Sequence, residues 1–200
     1  MEKEQKDGRV SPQEYLAYED SIEGRAEYYN GVIVDMAGGS ENHSLITANV
    51  IRHTGNALAE SPCRVYDCNF KVELSEDSVY GYPDVLVICG ETQKAKLRGD
   101  ICKNPTIVVE VLSEGTRHRD QGLKHFYYRQ IPSLQEFITI EQNYPFVTVH
   151  WRNSNDQWVI DLYASIDDNV RIPSLGLSIA MKDIYANAEL SGPPKLDGLR

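Results

Sequence analysis

The chain has 200 residues and a net charge of −10, from 30 acidic and 20 basic side chains, with 41% hydrophobic and 25% charged residues. That length fits one α/β or α+β domain with its own core, and the composition is that of a soluble globular protein. The longest apolar runs are strand-length, short of the ~18 residues a membrane helix needs, and Met1–Asp7 is too polar for a signal peptide, so no membrane association and a cytoplasmic location are expected.

An acidic balance counts against non-specific nucleic-acid binding, which lives on Lys and Arg neutralising phosphates, but it leaves room for a local basic cleft. A bound cation would offset part of it. Cys63, Cys68, Cys89 and Cys102 contain no Cys-x-x-Cys pair, which argues against a zinc site. Cys68 and Cys89 fall in strand patterns and read as reduced core thiols.

In chain order, residues 1–10 are charged and expected to fray. Ser11, Pro12 and Glu14 form a helix start with a capping box, predicting a short helix over 12–19. Asn30-Gly31 predicts a turn into a strand over 32–36. Gly38-Gly39-Ser40 breaks that strand, and a helix over about 41–60 follows, with Ile46, Val50, Ile51, Thr54, Ala57 and Leu58 at the 3.6 period. Residues 65–73 alternate cleanly and predict one half-buried strand. The runs 82–89 and 106–112 lack alternation and read as central strands covered on both faces, joined by a polar loop over about 90–104.

A helix is expected over 117–130, with Leu123, Phe126 and Tyr127 on its buried side, then three strands over 136–141, 146–152 and 158–163 as an antiparallel extension. A short helix over about 181–188 closes one domain spanning 11–188, and 189–200 reads as a disordered tail.

The chemistry concentrates between residues 82 and 124. Asp84 opens the first buried run and Glu110 stands inside the second, between valines. A charge in a buried strand costs several kcal/mol unless it is paired or binds a metal. Strand parity lets Asp84 and Glu110 converge if the strands are neighbours. Two carboxylates in contact repel unless a cation lies between them, and carboxylates with waters suit Mg2+ or Mn2+. Asp120, Lys124 and Tyr128 share one helix face, which could lay Lys124 over the pair. Plainer readings stand beside these: Glu110 as a salt-bridge partner of Lys124 or an arginine, Lys124 as a solvated helix lysine, and Asp120 as the helical partner of Lys124.

The segments Glu27-Tyr-Tyr-Asn-Gly-Val-Ile-Val-Asp-Met-Ala, Asn42-His-Ser, Tyr82-Pro-Asp-Val and Asn104-Pro-Thr-Ile-Val-Val-Glu-Val-Leu-Ser occur in this order. Asp120-Gln-Gly-Leu-Lys, Tyr128-Arg-Gln-Ile-Pro-Ser-Leu and Pro173-Ser-Leu-Gly-Leu follow. Together they resemble the Uma-two family of restriction-endonuclease-like proteins, a branch of the PD-(D/E)xK nucleases, over about residues 11–188. The resemblance implies an α/β restriction-endonuclease-like core, a mixed β-sheet flanked by helices. It implies Asp84, Glu110 and Glu27 as metal ligands and Lys124 as the catalytic lysine, displaced to the helix because Leu112 occupies the usual position. Val32 and Gln121 replace residues common in the family.

From sequence alone Glu27 reads as a surface carboxylate, and His43 as a neutral hydrogen-bonding histidine ahead of a ligand or general base; Asp120 and His43 are supporting candidates. Arg117, His118, Arg119, Lys124, His125 and Arg129 form a candidate nucleic-acid surface, though such a run is usually a solvated helix face. Two function classes follow: a Mg2+- or Mn2+-dependent endonuclease acting on DNA, and a nuclease-fold interaction module without turnover. A metal-dependent hydrolase of a small phosphate ester is a third. Nucleases of this superfamily often pair to cut two strands, so a homodimer is compatible, with no surface assigned to it.

Overall fold

The computed structural model of the chain describes residues 9–36, 38–113 and 119–192, the side chains of 119–121 excepted. Helix α1 (Pro12–Ser21) starts as expected: Ser11 accepts from the Glu14 amide at 3.2 Å, and Glu14 accepts from the Ser11 amide at 2.7 Å. Strands β1 (Ala26–Tyr29) and β2 (Val32–Asp35) form a hairpin through Asn30 and Gly31, both at positive φ (49° and 95°). A Cβ on Gly31 would lie 2.6 Å from Arg9 Cβ, so glycine is needed there for space as well as conformation. Helix α2 (Glu41–Ala57) is capped by Ser40, whose hydroxyl accepts from the His43 amide at 3.2 Å.

The single strand expected over 65–73 is two. Strand β3 (Cys63–Asp67) and β4 (Val72–Ser75) belong to different sheets. The Asp67 carboxylate accepts from the Asn69 amide at 3.0 Å, an Asx turn that diverts the chain despite the alternating pattern. Strand β5 (Val79–Gly81) completes an antiparallel sheet in the order β2-β1-β5-β4. The larger sheet runs β10-β9-β8-β7-β6-β3, from β6 (Val85–Cys89), β7 (Ile107–Leu112), β8 (Glu136–Glu141), β9 (Val147–Arg152) and β10 (Trp158–Tyr163). It is mixed: β7 and β8 pair in parallel, and all other neighbours are antiparallel, so β9 and β10 form the expected antiparallel extension.

Both faces of β6 and β7 are covered, which is why their sequences read as unbroken apolar runs. One face (Val85, Val87, Val109, Val111) packs on α2 through Ile46 and Val50, and on α4 (Met181–Ile184). The other (Leu86, Ile88, Val108) meets Val72, Leu74 and Val79 of the small sheet, and Tyr128. A further hairpin, β11 (Asn169–Ile172) and β12 (Leu177–Ala180), closes the first layer and carries too little periodicity to be read from sequence.

Three expectations are corrected. The segment after β7 is a π-helical turn, Arg119–Lys124, running into α3 (His125–Tyr128). Its exposed members are Leu123 (44%) and Phe126 (62%), whereas Lys124 and Tyr128 turn inward. The ion pairs and hydrogen bond that these two make with buried glutamates outweigh the burial of a leucine and a phenylalanine. Third, Cys89 is not a free thiol: it forms a disulfide with Cys63, its partner across β3–β6. Of the residues expected to fray (1–10) and of the expected tail (189–200), 1–8 and 193–200 lie outside the described residues, as do Arg117 and His118, whereas Val10 donates to the Gly31 carbonyl at 3.0 Å and Ser191 to the Asn143 carbonyl at 2.9 Å. Among the described residues no helix is long and apolar enough to cross a membrane.

Candidate active site

Five separate segments bring titratable side chains to one end of the large sheet. The β6–β7 register, Val85 opposite Val109, sets Asp84 opposite Glu110 one step further on. Asp84 Oδ2 accepts the Val111 amide at 2.7 Å and lies 3.2 Å from His43 Nε2, delivered by the first turn of α2. Glu110 points away from α2, towards the small sheet, because its strand parity is that of Val108. There its Oε1 meets Lys124 Nζ at 3.1 Å and the Tyr128 hydroxyl, which donates at 3.3 Å.

Lys124 is 3% exposed and also lies 2.8 Å from Glu27 Oε1. Glu27 sits on β1, 1% exposed, and accepts the Tyr82 amide at 3.2 Å on Oε1 and the Tyr29 hydroxyl at 3.0 Å on Oε2. The ammonium thus links carboxylates from two different sheets. The phenols of Tyr29 and Tyr128 are raised above the ordinary tyrosine range, first by burial and then by the neighbouring Glu27 and Glu110 respectively, which keeps both as hydrogen-bond donors.

Of these groups His43, Asp84, Glu110 and Lys124 line an open cleft of 590 Å³, together with Arg25 and Tyr82, while Glu27 reaches it through its contact with Lys124. The sequence candidates Glu27, His43, Asp84, Glu110 and Lys124 are therefore brought together. Arg129 is not: its guanidinium stacks 5.3 Å above the Trp158 ring, outside the cleft lining. The side chains of Arg119 and Asp120, and all of Arg117, lie outside the described residues. Tyr29, Tyr82 and Arg25 escaped the sequence reading. The available signal was the period-2 spacing of Arg25, Glu27 and Tyr29, which places all three on one side of β1.

A mixed sheet with flanking helices, with Glu110 on β7, Asp84 just before β6 and Lys124 beside Glu110, is the architecture of the restriction-endonuclease-like class. The chain belongs to the Uma2 family, described as "Putative restriction endonuclease", whose pattern matches residues 12–182. It is 31% identical over 177 residues to the uncharacterised protein slr1290 of Synechocystis sp. (strain ATCC 27184 / PCC 6803 / Kazusa), covering 88% of this chain and 92% of that one. It is 30% identical over 148 residues to the uncharacterised protein sll1609 of the same organism, covering 74% and 83%. Its fold matches the crystal structure of "a putative nuclease belonging to DUF820" from Anabaena variabilis ATCC 29413, with a TM-score of 0.71 and 16% identity over 88% of this chain and 97% of the other.

Proposed function

We propose that the cleft binds a divalent metal ion, Mg2+ or Mn2+, at Asp84 and Glu110 and hydrolyses phosphodiester bonds in nucleic acid, with DNA as the substrate. The carrying observation is that Asp84, Glu110 and Lys124, from three segments, line one open cleft, with Glu27 paired to Lys124. Among the described residues no three His, Cys, Asp or Glu side chains form a metal cage. Two neighbouring carboxylates beside open space nevertheless fit a Mg2+-like ion, which keeps several waters and takes one or two protein carboxylates. Once bound, such an ion neutralises phosphate charge and lowers the pKa of its water.

The chain's own residues supply the rest. The Val111 amide and His43 fix the direction of Asp84. In this reading Lys124, which lines the cleft, offsets charge building on the phosphoryl oxygens. Glu27, whose two oxygens both accept hydrogen bonds, has the first task of holding Lys124, whatever it adds to metal binding. The reading includes a cytoplasmic protein and a homodimer; the Cys63–Cys89 disulfide weighs against the cytoplasm, where such bonds are rare.

Purified protein with supercoiled plasmid and Mn2+ tests the reading. Nicking should appear with the metal, stop with chelator, and vanish in Asp84→Ala and Glu110→Ala; undiminished cutting by Asp84→Ala sinks it. A second reading, an interaction module without turnover, is favoured by buried Leu112 at the position where the parent fold carries its lysine. Calorimetry separates the two, because saturable Mn2+ binding lost in Glu110→Ala argues against a dead site.

A further inference from the structure

We infer that Arg25 is the anion-binding residue of the cleft, taking a phosphodiester oxygen of the nucleic-acid backbone beside the reacting group; this rests on the nucleic-acid part of the reading above. Among the described residues lining the cleft, the other lysine or arginine is Lys124, and it is held by Glu27 and Glu110. Arg25 lines the same cleft as Asp84 and Glu110, and among the described residues it has no carboxylate within ion-pair distance.

Its guanidinium is nevertheless held in place. It lies over the Tyr82 ring, 5.7 Å from the centroid, and Nη1 donates to the Cys68 carbonyl. The Arg25 carbonyl accepts the Met36 amide at 2.9 Å, which anchors the backbone to the base of the β1–β2 hairpin. An arginine has five N–H donors in a planar fork, and among the described residues this one spends a single group on the protein. The remaining edge suits the bidentate grip that guanidinium makes on phosphate. Tyr82 ties this cation to the acidic cluster, since its backbone amide donates to Glu27 while its ring carries the guanidinium.

A chain with net charge −10 needs such a group to admit a polyanion next to three carboxylates. The arrangement separates duties: Asp84 and Glu110 meet the metal, Lys124 stays paired with Glu27 and Glu110 behind it, and Arg25 takes the phosphate next along the strand.

The test measures binding of a fluorescent 20-base-pair DNA duplex by anisotropy, in EDTA, across a salt series, so that no cleavage is required. Arg25→Ala should weaken binding by roughly five- to tenfold at low salt and reduce the slope of log affinity against log salt by about one phosphate contact. Arg25→Lys, which keeps the charge, should restore the slope but not the full affinity. It also provides the reading if Arg25→Ala does not fold, as judged by its thermal melt. Equal affinity and slope in wild type and both variants, or no binding by wild type, overturns the inference. Arg25-dependent binding without Mn2+-dependent cleavage leaves it standing and removes only the hydrolytic reading.

Discussion

Lys124 Nζ stands 2.8 Å from Glu27 Oε1, an ion pair that joins the π-helical turn to the small sheet, and a second contact of 3.1 Å joins it to Glu110 in the large one. All three groups are almost fully buried. Removing one partner of a buried ionic cluster leaves uncompensated charge, at a cost of about 3–5 kcal/mol. Lys124→Met should therefore lower the urea unfolding free energy by that order, besides abolishing activity. Adding Glu27→Gln and Glu110→Gln should recover most of the stability and none of the activity. A Lys124→Met protein as stable as wild type would show that the cluster is not held by this cation.

Glu110 was legible because a charge between valines is costly, and it lines one cleft with Asp84, but Asp84 precedes β6 and turns to His43 and the Val111 amide, which strand parity does not foresee. Glu27 was not legible, since nothing local marks it as buried; it becomes so only when β5 and the π-turn close over β1. The helix carrying Lys124 lays Lys124 and Tyr128 over the site as its spacing predicts, but it exposes the Leu123 and Phe126 that are expected inside. Leu123 and Phe126 looked like its core face, but a lysine bound by two buried carboxylates, together with Tyr128, claims that face. The division of 65–73 between two sheets was hidden for a similar reason: alternation reports strand, and the Asx turn at Asp67 that ends it leaves the period intact.

His43 Nε2 lies 3.2 Å from Asp84 Oδ2, and Gly39 makes room for the ring: a Cβ there would stand 2.8 Å from His43 Nδ1. The neighbouring Gly38 has nothing within 4 Å of such an atom. Outer groups that orient a metal-binding side chain are typically worth about 10–100-fold in metal affinity. Calorimetric titration with Mn2+ should show Gly39→Ala and His43→Ala weakened by about tenfold each, and Gly38→Ala unchanged. Indistinguishable titrations for the two glycine variants would detach His43 from the site.

The Cys63–Cys89 disulfide closes a loop with a sequence separation of 26 between the edge strand β3 and β6. A cross-link of that span restricts the unfolded chain by about 3 kcal/mol. Replacing both cysteines by serine should lower the urea midpoint accordingly and leave Mn2+ affinity intact, because the bridge sits at the end of β6 remote from Asp84. Dithiothreitol should have no further effect on the double variant. A wild-type midpoint insensitive to the reductant would mean that the bridge contributes nothing to stability.

Glu136 begins β8 with no exposed surface; its Oε1 accepts the Ser174 amide at 2.7 Å, and its Oε2 has no hydrogen-bond partner among the described residues. Burial pushes its carboxyl up to about 7 from an ordinary 4.5, with the Ser174 bonds opposing. Between those two values the folded chain holds a proton that the unfolded chain lacks, so stability falls as pH rises through the window and levels off above it, by roughly 3 kcal/mol in all. His125 has the opposite sign. Burial, with help from His150, lowers it from 6.5 to about 4, so the unfolded chain takes a proton that the folded one refuses, and stability falls as pH drops through that range. The two effects oppose each other where the windows overlap, and wild type should show a shallow pH dependence there. Glu136→Gln keeps an oxygen for Ser174 and removes one of the opposed slopes. Urea melts of that variant should show higher stability than wild type at pH 8, and from pH 5 to 6.5 a stability that climbs with pH. Wild-type and variant curves running parallel from pH 5 to 8 would show that Glu136 does not titrate in this window.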